Sequence, residues 1–337
     1  MAFERVDAAM RAGGGSEFTG AVARVEHRGK LVFERAYGTT RADDVARPVY
    51  CDSRFDLASL TKLFVATIAL RLAGEGLVAL DAPLGKVLPQ WRDLPQKTIT
   101  PRMLLAHTSG MDSGADYRAI LNENVERFAL TAPLLAPPGE RVTYSDLGFI
   151  ALGAALERIA RSSLPMLVRG YFGASPIFRP NLRERATIPA TEEDAWRGRV
   201  QGVVHDEKSY LMGGAAGHAG LFGTAADVAA MTAQYLQPAF ALARVAIEEQ
   251  AYDPVLRRGL GWALKTSDTN SCGRWLDRSS FGHTGFVGTC VWADPTRDLQ
   301  GVLLTNNVYF GREAPAENAP SLRIAFYEAM VDDLDLR

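Results

Sequence analysis

Apolar and polar positions alternate with strand period near the two ends of this chain and follow helix period between them. Residues 2–12 read as a short amphipathic helix closed by Gly13-Gly14-Gly15. Ala21-Val22-Ala23-Arg24-Val25 alternates, Arg28-Gly29-Lys30 turns and Leu31-Val32-Phe33 returns, which predicts a hairpin over 20–40. A connection bearing proline and charge follows near 41–54. SLTKLFVATIALRLAGEG, residues 59–76, is a helix pattern so continuously apolar that it must be buried on most sides, with Gly74 and Gly76 as its stop. Asp81-Ala82-Pro83 and Thr100-Pro101 have the form of helix starts, a cap followed by proline. Residues 145–161 predict a second buried helix, and Ser163-Leu164-Pro165 opens another. Thr224-Ala225-Ala226-Asp227 has the form of a capping box ahead of an apolar helix. Strand pattern returns after residue 259, over Leu260–Lys265, Gly285–Ala293 and Gln300–Asn306, with Asp294–Asp298 turning between the last two. A final helix is expected over 318–333.

Strands at both ends and helices in the middle predict an α+β fold. Its antiparallel sheet is built from both chain termini and flanked by helices, with a mostly helical inserted lobe. At 337 residues the chain exceeds what one core comfortably holds, so two lobes are expected. Residues 1–80 plus 258–337 would form the sheet domain and 81–257 the helical one, with the active site between them. A hydrophobic content of 47% excludes disorder, and a net charge of −2 gives no general attraction to nucleic acid or anionic lipid. The longest apolar run, Leu147–Leu156, is about half the ~20 residues that span a bilayer. The N-terminal MAFERVDAAMRAGGG lacks the apolar core of a signal peptide. Cys51, Cys272 and Cys290 form no close pair, so neither a disulfide framework nor a zinc ribbon is expected, and a reducing cytoplasm is the default.

Of the 37 basic residues only six are lysine, so Ser59-Leu60-Thr61-Lys62 stands out. Such a composition yields about 0.3 SxxK spacings by chance. On a helix, positions i and i+3 share a face, and a serine in the first turn has a free backbone N–H. An amine beside a hydroxyl and a donor for an oxyanion are what a nucleophilic serine requires. Burial in an apolar helix would favour a partly neutral Lys62 able to act as base. Tyr144-Ser145-Asp146 follows Pro137-Pro138-Gly139-Glu140 and opens a buried helix. There Tyr144 is either a proton relay or an ordinary rim tyrosine. His283-Thr284-Gly285 leads into a strand whose glycine lets a ligand approach the backbone. A metal site would need three converging ligands, and His205, Asp206 and His218 are the candidates. Adjacent His-Asp side chains rarely point the same way, so neither metal nor other cofactor is expected. His107 reads as satisfying a helix end or turn, and His27 as a hairpin surface residue.

SxxK near 60, Tyr-x-Asp near 145 and His-Thr-Gly near 283 resemble, in order and spacing, the penicillin-recognising serine hydrolases. That family comprises class C β-lactamases, DD-peptidases and β-lactamase-fold esterases, with the pattern SxxK, YxN, KTG or HTG. His107-Thr108-Ser109-Gly110, Pro138-Gly139, GGAAGHAGLFGTAAD over 213–227 and Gly259-Leu260-Gly261-Trp262 agree with it, and the resemblance covers roughly 18–330. It implies a β-lactamase/transpeptidase-like fold, Ser59 as acylated nucleophile, and Lys62 and Tyr144 sharing the proton work. It also implies an oxyanion hole from the N–H groups of Ser59 and Phe286. Substrate contacts are expected from Asp146, His283, Thr284, Gly285 and His218. The partner would be a small ester or amide, with neither nucleic acid nor membrane, in an undetermined oligomeric state.

Two positions depart from the pattern. Asp146 replaces asparagine and, ionised, only accepts hydrogen bonds. It could pair with Lys62, keeping the amine charged and leaving the base role to Tyr144. His283 replaces lysine and is fractionally charged near neutral pH, so anionic substrates should gain towards pH 6. Both changes favour esters or modest peptidase activity over antibiotic hydrolysis. The alternatives are a true β-lactamase, a non-catalytic penicillin-binding or sensing protein of the same fold, and a metal-dependent amidase.

Overall fold

A computed structural model describes residues 3–114, 120–253, 257–312 and 314–337. Its centre is an eight-stranded antiparallel sheet. In spatial order the strands are Lys30–Gly38, Gly20–His27, Leu299–Thr305, Cys290–Asp294, Phe281–Thr284, Ala263–Leu264, Arg257–Arg258 and Ala251–Tyr252. The N-terminal hairpin thus pairs with the C-terminal strand: Ala21 lies opposite Thr305 and Val25 opposite Gly301.

Alternation along the strands divides the core in two. Val22, Val291, Ala293, Val302 and Leu304 face a cluster that includes the helices Thr61–Gly74 and Ala225–Leu236. Ala21, Ala23, Val25, Cys290, Trp292 and Leu303 face the helix Glu4–Gly13 and the C-terminal helix Ala314–Asp333 through Met10, Phe326, Tyr327 and Met330. A sheet covered on both faces needs apolar residues at successive positions, which is why all seven residues of Leu299–Thr305 are buried. Thr224 and Asp227 form the expected capping box, with the side chain of each accepting from the other's backbone N–H.

The middle of the chain carries the buried helix Asp146–Ala160, the helix Leu164–Phe172 and several short helical turns. A small sheet, ordered Phe55–Asp56, Leu221–Gly223, Ile177–Phe178, lies directly before the SxxK segment. Among the described residues no helix is long and apolar enough to cross a membrane.

Two strand expectations are corrected. The stretch read as one strand over Gly285–Ala293 is a turn followed by Cys290–Asp294, and His283-Thr284 end the preceding strand rather than lead into one. The turn is closed by the Gly285 amide on the Thr289 carbonyl at 2.7 Å. The strands Ala251–Tyr252 and Arg257–Arg258, only two residues each, carry no readable alternation, yet they extend the sheet by pairing onto Ala263–Leu264.

Candidate active site

Ser59 occupies a 3-10 turn, Ala58–Leu60, that runs into the helix Thr61–Gly74. The buried Asp56 carboxylate braces this turn, accepting from the amides of Ala58 at 2.8 Å and His205 at 2.7 Å. Ala58 holds φ +45°, a left-handed conformation uncommon for a residue with a Cβ. Such outliers persist where packing over-determines them, and Ala58 is locked against Val287 and Val308. One helical turn on, Lys62 is wholly buried. Its Nζ lies 2.9 Å from Ser59 Oγ, 2.8 Å from Asp146 Oδ1 and 3.2 Å from the His218 carbonyl.

Tyr144 reaches Ser59 from the other side, its hydroxyl 2.9 Å from Ser59 Oγ. Its backbone is pinned at both neighbours by His107, whose carbonyl accepts from Thr143 N–H at 2.8 Å and whose Nδ1 accepts from Ser145 N–H at 3.1 Å. Ser145 caps the following helix by accepting from Gly148 N–H. The His107 ring also packs on the Tyr144 ring, tilted by 35° with centres 4.7 Å apart. The expected turn histidine therefore positions the tyrosine.

Asp146 faces two cations. Lys62 holds Oδ1, and Lys208 Nζ lies 3.3 Å from Oδ2 and 3.6 Å from Asp206 Oδ2. Asp206 in turn meets His218 Nε2 at 2.7 Å. Burial disfavours the Lys62 ammonium, but Asp146 and Tyr144 outweigh it and hold its pKa above the ordinary lysine value. Burial opposes ionisation of Asp146 too, and Lys62, His218 and Lys208 outweigh it, so the carboxyl is held below its usual range. Lys62 is accordingly a charged group, not the partly neutral amine that burial alone would give. With both oxygens beside ammonium groups, Asp146 is a brace for the lysines rather than a substrate contact. His218, 1% exposed and turned onto Asp206, is likewise not placed to touch substrate. Asp146, Asp206 and His218 bring ligand atoms within 4.8 Å of one another, but two ammonium groups already lie among them, and fixed positive charge there opposes a metal ion. His205 points elsewhere, 3.1 Å from Glu192 and stacked on Phe286.

The strand Phe281–Thr284 ends against the Ser59 turn. A Cβ on Gly285 would lie 2.1 Å from Thr289 Oγ1 and 2.9 Å from the Leu57 carbonyl, so only glycine allows this approach. Phe286 follows, 56% exposed. Among the described residues neither the Ser59 nor the Phe286 amide donates to a protein acceptor, which leaves both N–H groups available.

His283 departs from expectation. It is 4% exposed, and its Nδ1 lies 2.8 Å from the Thr284 carbonyl, so that nitrogen carries the proton. Burial, with Arg258 and Lys62 nearby, lowers its pKa to about 3. Acidification to pH 6 adds no charge there, and the expected gain for anionic substrates disappears. A consequence for stability follows. The unfolded histidine takes a proton near pH 6.5 and the folded one refuses it until about 3. Stability therefore falls as pH drops below about 6.5, by roughly 1.4 kcal/mol per unit for each such group. His107, also held far below its ordinary value by burial and neighbouring cations, adds to the slope. Thermal melts at pH 7.5 and 5 should show a lower Tm at pH 5, and His283→Gln should reduce that drop. An equal drop in the variant would mean His283 is protonated in the fold.

Sequence reasoning passed over Arg258, Lys208 and the positioning role of His107. The scarcity of lysine was a signal for Lys208, and the His107-Thr108-Ser109-Gly110 match marked the position of His107 without its role; nothing local marked Arg258.

A family model described as Beta-lactamase matches residues 6–325. Esterase EstB of Burkholderia gladioli is 31% identical, over 91% of this chain and 90% of that protein. A putative D-alanyl-D-alanine carboxypeptidase of Escherichia coli K12 is 28% identical, over 90% of this chain and 83% of the other. The crystal structure of a class C beta-lactamase from Rhodobacter sphaeroides superposes with a TM-score of 0.78 at 18% identity, covering 98% and 99% of the two chains.

Proposed function

Because the chain belongs to the beta-lactamase family, we propose that it is a serine hydrolase acting through an acyl-enzyme, with uncharged esters or D-amino-acid amides as substrates. The observation that carries this reading is Ser59 Oγ held 2.9 Å from both Lys62 Nζ and Tyr144 OH. In this scheme charged Lys62 donates to Ser59 Oγ, so the serine proton is directed to the Tyr144 oxygen. Ser59 Oγ then bonds the substrate carbonyl carbon, and the carbonyl electron pair moves onto oxygen between the Ser59 and Phe286 amides. Collapse expels the alcohol or amine, which takes the proton from Tyr144. Water repeats the sequence on the acyl-enzyme and releases the acid. The site lies between the eight-stranded sheet, whose C-terminal part begins at Ala251 rather than at 258, and the segment that carries the helix Asp146–Ala160.

Specificity rests on charge. Asp146 offers no donor to a substrate amide carbonyl, His283 is neutral, and Arg258 is buried against the Tyr144 ring. Arg312, 5.9 Å from the Phe286 ring centre, is held by Glu192 and Glu207, and the Arg197 side chain, 5% exposed, by Glu192 and Asp194. A ligand with an amide carbonyl and a carboxylate forfeits a charged hydrogen bond, about 1.5–3 kcal/mol or roughly 10- to 150-fold. A neutral short-chain ester forfeits nothing.

A parallel screen of p-nitrophenyl esters of graded chain length, nitrocefin and a D-Ala-D-Ala peptide tests this. The kcat/KM for p-nitrophenyl acetate or butyrate is expected to exceed that for nitrocefin. Asp146→Asn, which restores the amide, should narrow the ratio whatever it does to both rates. Nitrocefin hydrolysed faster than every ester would return the protein to the β-lactamases. Labelling by a serine-reactive phosphonate without turnover of any substrate would favour a sensing protein.

A further inference from the structure

Tyr144 can accept a proton from serine at neutral pH only if nearby positive charge favours its phenolate. The groups around its ring come from five places: Lys62 on the nucleophile helix, His107 on the loop before residue 110, His283 and Arg258 on two strands of the sheet, and Asp146 on its own helix. His107 is neutral, because its Nδ1 accepts from Ser145 N–H and it is buried. His283 is neutral, because its Nδ1 proton goes to the Thr284 carbonyl in an equally buried place. Lys62 Nζ stands 4.9 Å from the ring centre and divides its charge between Tyr144 and Asp146, the latter at 2.8 Å. Arg258 remains. Its guanidinium carbon lies 5.4 Å from the Tyr144 ring centre, its side chain is buried, and its Nε has no hydrogen-bond partner among the described residues. Burial presses its pKa below the ordinary arginine value, against the opposing fields of Tyr144 and of Asp253, a few residues back. Burying a guanidinium is costly unless something is gained from the charge. Arginine keeps its charge even there.

The register explains the placement. Arg258 pairs with Ala263, and Ala263 with Gly282, so Arg258 lies two strands across the sheet from the neighbour of His283. We propose that Arg258 is a positioning residue for catalysis, supplying from two strands across the sheet a second cation, beside Lys62, that holds the Tyr144 phenol in its proton-accepting form where the His283 position supplies none. This rests on the reading of Tyr144 as general base, and it makes the site depend on an arginine outside the three motifs.

The test is the pH dependence of kcat/KM for p-nitrophenyl butyrate in the native protein, Arg258→Met, Arg258→Lys and Tyr144→Phe, each checked for folding by thermal melt. A cation at this distance shifts a neighbour's ionisation by about one pH unit or more. The acidic limb of the profile should therefore move up by about one unit in Arg258→Met and stay near its native position in Arg258→Lys. Should Arg258→Met not fold, Arg258→Gln carries the same expectation. An acidic limb that stays in place in the neutral variants, however much the rate falls, overturns the role of Arg258 and marks it as structural. A limb that survives unchanged in Tyr144→Phe overturns instead the assignment of Tyr144 as base, and this proposal with it.

Discussion

Ser59→Ala is expected to lower ester turnover by about 10⁴-fold or more and to abolish labelling by a fluorophosphonate. Lys62 and Tyr144 both converge on Ser59 Oγ, so its removal leaves them without the nucleophile they serve. Folding should survive. A serine that caps a helix costs about 1 kcal/mol when replaced by alanine, but no capping hydrogen bond is made by a side chain at the start of this turn or of the helix that follows. The loss should therefore be smaller than that, and the melting temperature near native. Intact-protein mass after incubation with the probe reads the outcome directly. An adduct on Ser59→Ala would place the nucleophile elsewhere.

Lys62→Met and Tyr144→Phe are each expected to cost at least ~100-fold in acylation, and the double variant little more than the worse single one. The two groups flank the same oxygen and act on one proton, so removing either disables the unit. Their effects on stability should differ. Tyr144→Phe removes a hydroxyl from a partly exposed site and keeps the ring packed on His107. Lys62→Met removes one partner of a buried ion pair, which is severe when the other charge is left alone. Here Lys208 stays 3.3 Å from Asp146, so the carboxylate keeps a cation and the destabilisation is softened. Single-turnover kinetics with a chromogenic ester would measure acylation free of later steps. Near-full acylation in Lys62→Met would remove it from the mechanism.

The nucleophile segment was legible because its signals are local. A continuous apolar run declares a buried helix, glycine ends it, and the spacing of Ser59 and Lys62 puts both on one face whatever packs against them. The hairpin over 20–40, the helix after Ser145 and the capping box at Thr224 follow from period, turn chemistry and caps in the same way. The strand break at Gly285 was not legible, because an apolar run through a tight turn looks like a longer strand. The paired strand Arg257–Arg258 was missed because two residues show no period.

Charge state is the other part that sequence does not carry. Lys62 and Lys208 are 146 positions apart, yet both reach Asp146, and Asp206 and His218 come from the same distant segment. Sequence alone determined which side chains lie on the nucleophile helix and at the tyrosine turn, since hydrogen-bonded local geometry sets those spacings. Only the tertiary structure decided that Lys62 is charged, that His283 is neutral and that Arg258 reaches Tyr144. Ionisation depends on desolvation and on charges acting through space, and both are set by what folding brings across from elsewhere in the chain.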